Sequence, residues 1–188
     1  MERDELGAAL REHAYLEGDF VLRSGRRSRY YLDKYRFETR PDLLGPLGEL
    51  IAGAAREFEP EASRLAGPEL GAVALAAAAS LSSGLPFLIV RKEAKGYGTD
   101  NRLEGVSDEG ELVCLVEDVV TSGGAAVAAV EAIEALREAG LRVRTAVCVV
   151  DREEGGADEL ARVGVRLRPL FRASELLSEA KSAAKPHG

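Results

Sequence analysis

Two adjacent carboxylates, Glu117 and Asp118, close an apolar run from Leu112 to Val116. Val119 and Val120 follow, then Thr121, Ser122, Gly123 and Gly124, then an alanine-rich stretch of helical pattern. A buried strand that delivers its chain into a turn of small residues opening a helix makes an anion site. The first N–H groups of the helix lack partners within it, and the helix dipole favours negative charge there. Thr121 and Ser122 add hydroxyl donors, and glycine lets the backbone come close to a phosphate. The acids are wrong for holding phosphate but suited to accept hydrogen bonds from sugar hydroxyls. A ribose carrying a phosphate fits both halves. Taken alone, the acids and glycines are met equally well by an ordinary strand–turn–helix with a solvated acid pair.

A second group is basic: Arg91, Lys92 and Lys95 fall within five positions, in a polar segment with Gly96 and Gly98. In isolation this reads as a solvated basic turn. His13 and His187 lie on a helix and in the tail, so neither a histidine-based triad nor a zinc site is supported. Cys114 and Cys148 sit inside apolar strand patterns and read as small buried hydrophobes, not a disulfide or a metal pair.

The elements that must position these groups follow from periodicity. Residues 2–16 read as an amphipathic helix with Leu6, Leu10 and Ala14 on one face. Short strands are expected at Phe20–Leu22 and Tyr30–Asp33, around a polar turn. Pro41 opens a helix striped by Leu43, Leu44, Leu47, Leu50, Ile51, Ala54 and Phe58. Further strands are expected at 64–66, 87–90, 112–116, 143–150 and 165–170. Helices are expected at 72–82, 125–139, 157–163 and 173–180, with a frayed tail over 181–188. Apolar strands alternating with helices predict an α/β fold: a central parallel sheet with helices on both faces, behind a small N-terminal hood of helix and short strands. Ligands of such sheets sit beyond the carboxyl ends of the strands, where the Gly67 loop, the 91–104 loop, the 117–124 turn and Asp151–Glu154 all fall.

At 188 residues the chain is expected to form one domain, with hood 1–40 and core 41–175. Hydrophobic content of 46% with 30% charged residues indicates a globular, non-membrane chain. The net charge of −7 argues against nucleic-acid binding, which needs a positive field. No apolar run is long enough to span a bilayer. MERDELGAAL has no basic stretch leading into an apolar one, so a cytoplasmic protein is expected.

The string VEDVVTSGGA closely resembles the phosphoribosyl-pyrophosphate (PRPP) signature of the type I phosphoribosyltransferases. The resemblance implies that Glu117 and Asp118 take the ribose, that Val119 and Val120 line the same site, and that Thr121, Ser122, Gly123, Gly124 and Ala125 take the 5'-phosphate. The segment RKEAKGYGTDNRLEG is similar to the catalytic loop of one branch, the orotate phosphoribosyltransferases. It implies that Arg91, Lys92 and Lys95 stabilise a departing pyrophosphate, as guanidinium forks and ammonium charges do. Tyr97 stands where many members carry His, so an imidazole there is absent while a phenol can still donate to phosphate. FVLRSGRRSRYYLDKYRFE resembles the family's substrate segment. By that resemblance Arg23 stands near the reacting centre and Tyr30 and Tyr31 line the base pocket. Arg29 replaces a frequent Pro. AGPELG, 66–71, resembles the pyrophosphate loop, and DREEG, 151–155, the element whose Arg152 pairs with orotate, with Thr121 beside it.

Five motifs in order over about residues 15–175 imply an orotate phosphoribosyltransferase with the type I fold. They imply Mg²⁺ carried mainly by PRPP and water rather than by a protein metal site, and a homodimer whose active site is shared between subunits. Lys95, Arg91, Lys92, Asp118 and Arg23 are the implied catalytic residues. Two alternatives stay open. One is a PRPP-binding regulator without turnover, disfavoured by the intact basic loop and by the roughly 15 residues ahead of the first motif. The other is a purine-type phosphoribosyltransferase, disfavoured by the Phe20–Asp33 segment. A β-branched residue at Gly123 is expected to cost PRPP affinity without unfolding the chain.

Overall fold

The computed structural model describes residues 1–21, 27–93, 102–134 and 140–177. Helix α1, Arg3–Ala14, has Glu5 accepting from the Glu2 N–H at 3.0 Å and buries Leu6, Leu10 and Ala14, the face its spacing predicts. The chain then extends directly into β1, Tyr15–Val21, which pairs antiparallel with β2, Arg27–Leu32. Helix α1 is therefore shorter than expected and β1 longer. Its residues are mixed in polarity because the two-stranded sheet stands outside the main one. A single helical turn that periodicity does not foresee, α2 (Tyr35–Glu38), buries Phe37.

Helix α3, Pro41–Phe58, starts on proline, whose missing N–H costs nothing at a first helical position. It runs beside α4, Gly71–Ser83, closely enough that a Cβ on Gly48 would lie 2.7 Å from the Ala78 backbone. The alanines of α4 permit that approach. Between them lies β3, Arg64–Pro68. Strands β4 (Phe87–Val90), β6 (Leu112–Val120), β7 (Arg142–Asp151) and β8 (Arg166–Arg172) complete the parallel part of the sheet. A two-residue strand, β5 (Leu103–Glu104), adds antiparallel to β4, giving the order β5-β4-β3-β6-β7-β8. It lies inside the segment read as loop, too short to leave an alternating pattern.

Helix α5 begins at Gly124 and is described to Glu134; α6 covers Gly156–Arg162, and residues 173–177 are helical. The tail 181–188 and the ends of both predicted helices, 135–139 and 178–180, lie outside the described residues.

The sheet is buried on both faces. Cys114 and Val116 of β6 join a cluster with Leu6, Leu10, Ile51, Leu75 and Val147, while Val113 and Leu115 join Ala129, Ile133, Leu160 and Ala146 on the other side. Burial on both faces explains why the central strands read as continuous apolar runs. Both cysteines are free and buried, and burial pushes the Cys114 thiol up to about 12. No described helix is long and apolar enough to cross a membrane.

Candidate active site

Strand β6 is nine residues long because its pairing with β7 continues past the apolar run: Glu117 stands opposite Cys148, Val119 opposite Val150 and Val120 opposite Asp151. The acid pair is therefore part of the strand, which continues four residues past the apolar run to Val120, and it is not solvated. Glu117 is 6% exposed and Asp118 5%. The expectation of an acid pair after the strand is corrected here, and with it the solvated-pair alternative: charged residues are sustained inside a parallel strand where its carboxyl end opens into a cleft.

That cleft has a volume of about 830 Å³. Glu117, Asp118, Val119 and Val120 form its floor, and Thr121, Ser122, Gly123, Gly124 and Ala125 wrap one side. Tyr31, Lys92 and Arg152 also line it. The structure thus brings twelve candidates from four segments of the chain into one cleft, while Tyr30 and Arg91 do not line it. Arg23, Lys95 and Tyr97 lie outside the described residues.

The turn has a specific construction. Gly123 has φ +81°, and a Cβ there would lie 2.9 Å from the Gly156 carbonyl oxygen and 3.0 Å from the Gly156 Cα. Gly156 in turn packs on Val120 and on the Thr121 carbonyl, so neither position accepts a side chain. The expectation that Gly123 can be replaced without structural cost is thereby revised: this glycine holds the start of α5 against the start of α6. Gly124 faces open space, with nothing within 4 Å of a built Cβ.

Arg152 follows β7 in a tight turn in which Asp151 Oδ1 accepts from the Glu153 N–H at 2.8 Å. Its guanidinium lies 4.7 Å over the Tyr30 ring and 3.0 Å from Glu154 Oε1, and its buried Nε has no hydrogen-bond partner. Tyr30 stacks on Tyr15 at 5.4 Å, and Tyr31, more exposed, contacts Phe20 at 5.6 Å. A guanidinium pinned on an aromatic face with a free donor is ready to take a carboxylate or carbonyl.

The 66–71 loop starts on β3, and its Glu69–Leu70 peptide is cis. Glu69 donates its N–H to the Val90 carbonyl at 2.8 Å and accepts from the Lys92 N–H at 2.7 Å, which ties this loop to the base of the basic segment. Arg91 N–H donates to the Arg102 carbonyl at 2.7 Å, Arg102 Nε donates back to the Arg91 carbonyl at 3.1 Å, and the Arg91 guanidinium lies 3.8 Å from Glu104.

Two residues not singled out by sequence complete the site. Lys34 forms an ion pair with Asp118, and Glu38, 4% exposed, lies beside it. Burial first, then the Asp118 charge, pushes the Glu38 carboxyl to about 8 and the Glu117 carboxyl to about 8, with Lys34 opposing the rise in both. Glu38 Oε1 and Glu117 Oε1 are buried without a hydrogen-bond partner. No spacing rule links position 34 to position 118; only the turn α2 brings them together.

The chain matches no family model. It is 54% identical over 160 residues to the orotate phosphoribosyltransferase of Methanocella arvoryzae, an alignment covering 85% of this chain and 88% of that one. Among solved structures, the orotate phosphoribosyltransferase of Aeropyrum pernix superposes with a TM-score of 0.78 at 31% identity, covering 94% of this chain and 99% of that one. The Mycobacterium tuberculosis orotate phosphoribosyltransferase in complex with PRPP gives 0.74 at 28%, over 93% and 98%. Kinship of that degree, running almost end to end in both sequence and fold, means that this chain belongs to the orotate phosphoribosyltransferase family.

Proposed function

We propose that the protein transfers the phosphoribosyl group of PRPP to N1 of orotate, giving orotidine 5'-monophosphate and pyrophosphate, a step of pyrimidine biosynthesis. The observation that carries this reading is the single cleft that joins the acid pair, the 121–125 turn and Arg152. The 5'-phosphate would sit on the turn, where the α5 N–H groups and the Thr121 and Ser122 hydroxyls converge. Asp118 and Glu117 would accept from the ribose hydroxyls. The unpartnered Arg152 Nε, with the Tyr30 and Tyr31 rings and Thr121, would hold orotate.

Breaking the C1–pyrophosphate bond leaves positive charge on the ribose and negative charge on the leaving group. Fixed charges placed beforehand stabilise both, with no covalent nucleophile. Arg91, Lys92 and, by sequence, Lys95 and Tyr97 would act on the pyrophosphate side, with Arg23 near the reacting centre. Among the described residues, no group of three or more His, Cys, Asp or Glu is arranged to hold a metal. The buried Asp118 and Glu117 carboxylates on the cleft floor would suit an Mg²⁺ carried mainly by PRPP oxygens and water; when bound, the ion would offset pyrophosphate charge.

We extend the proposal to a cytoplasmic homodimer in which the basic loop of one subunit completes its partner's site. Orotate-dependent consumption of PRPP, with hypoxanthine and adenine as controls, tests the activity: turnover with a purine, or binding of PRPP without turnover, would replace this reading. The shared site is tested by mixing Lys95→Ala with Asp118→Asn. Random exchange should restore about a quarter of parental activity, since half the dimers are mixed and each holds one intact site. No recovery after verified exchange would return Lys95 to its own subunit.

A further inference from the structure

Three side chains from distant parts of the chain converge on the first residue of α4. A Cβ built on Gly71 would collide with Asp118 Oδ2 and would lie 2.8 Å from Glu38 Oε1 and 2.9 Å from Lys34 Nζ. Gly71 ends the loop read above as the seat of the pyrophosphate, and Asp118 is the acid read as the ribose acceptor. The Lys34 ammonium lies beside both.

We propose that Lys34 is a positioning residue for phosphoribosyl transfer: its ammonium, carried in by the N-terminal hood, fixes the Asp118 carboxylate for the ribose and sets a positive charge where the pyrophosphate loop meets α4. The proposal rests on the reading of this cleft as the PRPP site.

The geometry supports it in two ways. Asp118 is held at both oxygens, Oδ1 by the Val119 N–H at 2.5 Å and Oδ2 by Lys34. A carboxylate so held keeps one orientation, yet each oxygen retains a second acceptor site for a sugar hydroxyl. The second support is charge. Glu38, Glu117 and Asp118 crowd the same floor, and a substrate bearing several phosphate charges must bind against them. Lys34 is the one ammonium in contact with this cluster among the described residues. It faces Asp118 and Glu38, and the Tyr35 ring lies 5.4 Å from its Nζ. The first turn of α4, packed below, has no acidic residue. The Lys34 ammonium, paired with Asp118, offsets negative charge on this floor. Without Lys34 the floor is anionic, and like charges at such distances in a partly desolvated site repel strongly.

A plain tie between hood and sheet would also place a lysine on an aspartate, so the test must separate the two roles. Lys34→Met and Lys34→Arg are compared with the parent by melting temperature, by calorimetric PRPP binding and by the KM of each substrate. Lys34→Met should weaken PRPP binding roughly 10- to 100-fold, the range expected for loss of a hydrogen bond to a charged group. The orotate KM should stay near the parent's, and Lys34→Arg should recover most of the PRPP affinity. Should Lys34→Met fail to fold, Lys34→Gln, which keeps a donor to Asp118 without the charge, replaces it with the same PRPP-selective loss expected. Parental PRPP affinity in the variant, or a matched rise in both KM values tracking a lowered melting temperature, would overturn the proposal. Orotate-dependent turnover by the parent is measured alongside. Its absence would count against the activity, whereas PRPP binding by parent and variant reports on Lys34 either way.

Discussion

Gly123 and Gly124 are adjacent in the turn that opens α5, but a side chain meets different surroundings at each. At Gly123 it would strike the Gly156 backbone, and the positive φ already disfavours any L-residue. Gly123→Val should therefore lower the melting temperature and PRPP affinity together. At Gly124 a side chain would project into free cleft volume. Gly124→Val should leave the melting temperature within a degree or so, since it touches nothing, while weakening PRPP binding roughly 10-fold or more by blocking the approach of a phosphate to the helix start. Thermal melts and calorimetry on both variants check this; equal effects of the two on stability would mean the turn is packed differently. The residue types place a turn before a helix here, and the structure has it. They could not distinguish the two glycines, because what separates them is α6, 32 residues downstream of Gly124.

The strands are held at their beginnings by one kind of interaction and used at their ends for another. Before β6, Glu111 receives the Arg64 guanidinium as a fork, at 2.6 and 2.9 Å, with the Asp108 N–H at 2.9 Å and Ser63 Oγ at 3.2 Å completing its oxygens. The Arg64 hydrogen bonds hold the Glu111 carboxyl below its ordinary range. Glu111→Ala leaves a buried guanidinium without its partner and should cost about 3 kcal/mol of stability. It should not alter KM for either substrate, because the pair sits at the amino ends of the central strands, opposite the carboxyl ends that open into the cleft. A variant as stable as the parent, or one with a raised PRPP KM, would contradict that division. The central strands were legible for a physical reason: burial on both faces leaves an unbroken apolar run, and β4 carries the predicted bounds, Phe87–Val90. The misread elements are those without such burial. β1 mixes Glu17, Gly18 and Asp19 on a two-stranded sheet, and β6 runs on through two carboxylates that a pattern of apolar residues cannot include.

At the scale of the whole molecule, the cleft makes stability depend on pH. Glu38 and Glu117 have an ordinary value of 4.5 and are pushed in the folded chain to about 8, by burial first and the Asp118 charge second. Between those values the folded chain keeps protons that the unfolded chain has released, so these two groups lower stability as pH rises across that window and add no further loss above about 8. The melting temperature of the parent should fall by a few degrees from pH 5 to pH 8.5 relative to a Glu38→Gln/Glu117→Gln double variant. Parallel curves for the two proteins would show that these carboxyls are ionised when folded. The overall architecture followed from alternating strands and helices, and the ligand end of the sheet from the rule for parallel strands. Lys34 and Glu38 did not, because their importance lies in a meeting with residues some 80 positions away that no local pattern encodes.

The unpartnered oxygens of Glu38 and Glu117 have one more consequence, in the heat of binding. Near pH 8 these carboxyls are partly ionised, and the arrival of a polyanion favours their protonated form. Loading of metal-free PRPP should then draw protons from the solvent, and the buffer must supply them. The calorimetric enthalpy would change with the ionisation enthalpy of the buffer, and the slope of that dependence would count the protons taken up. A cation arriving with the substrate would reduce the slope or reverse its sign. The cleft would thus exchange protons with the medium each time it fills, although no histidine is among the described residues that line it.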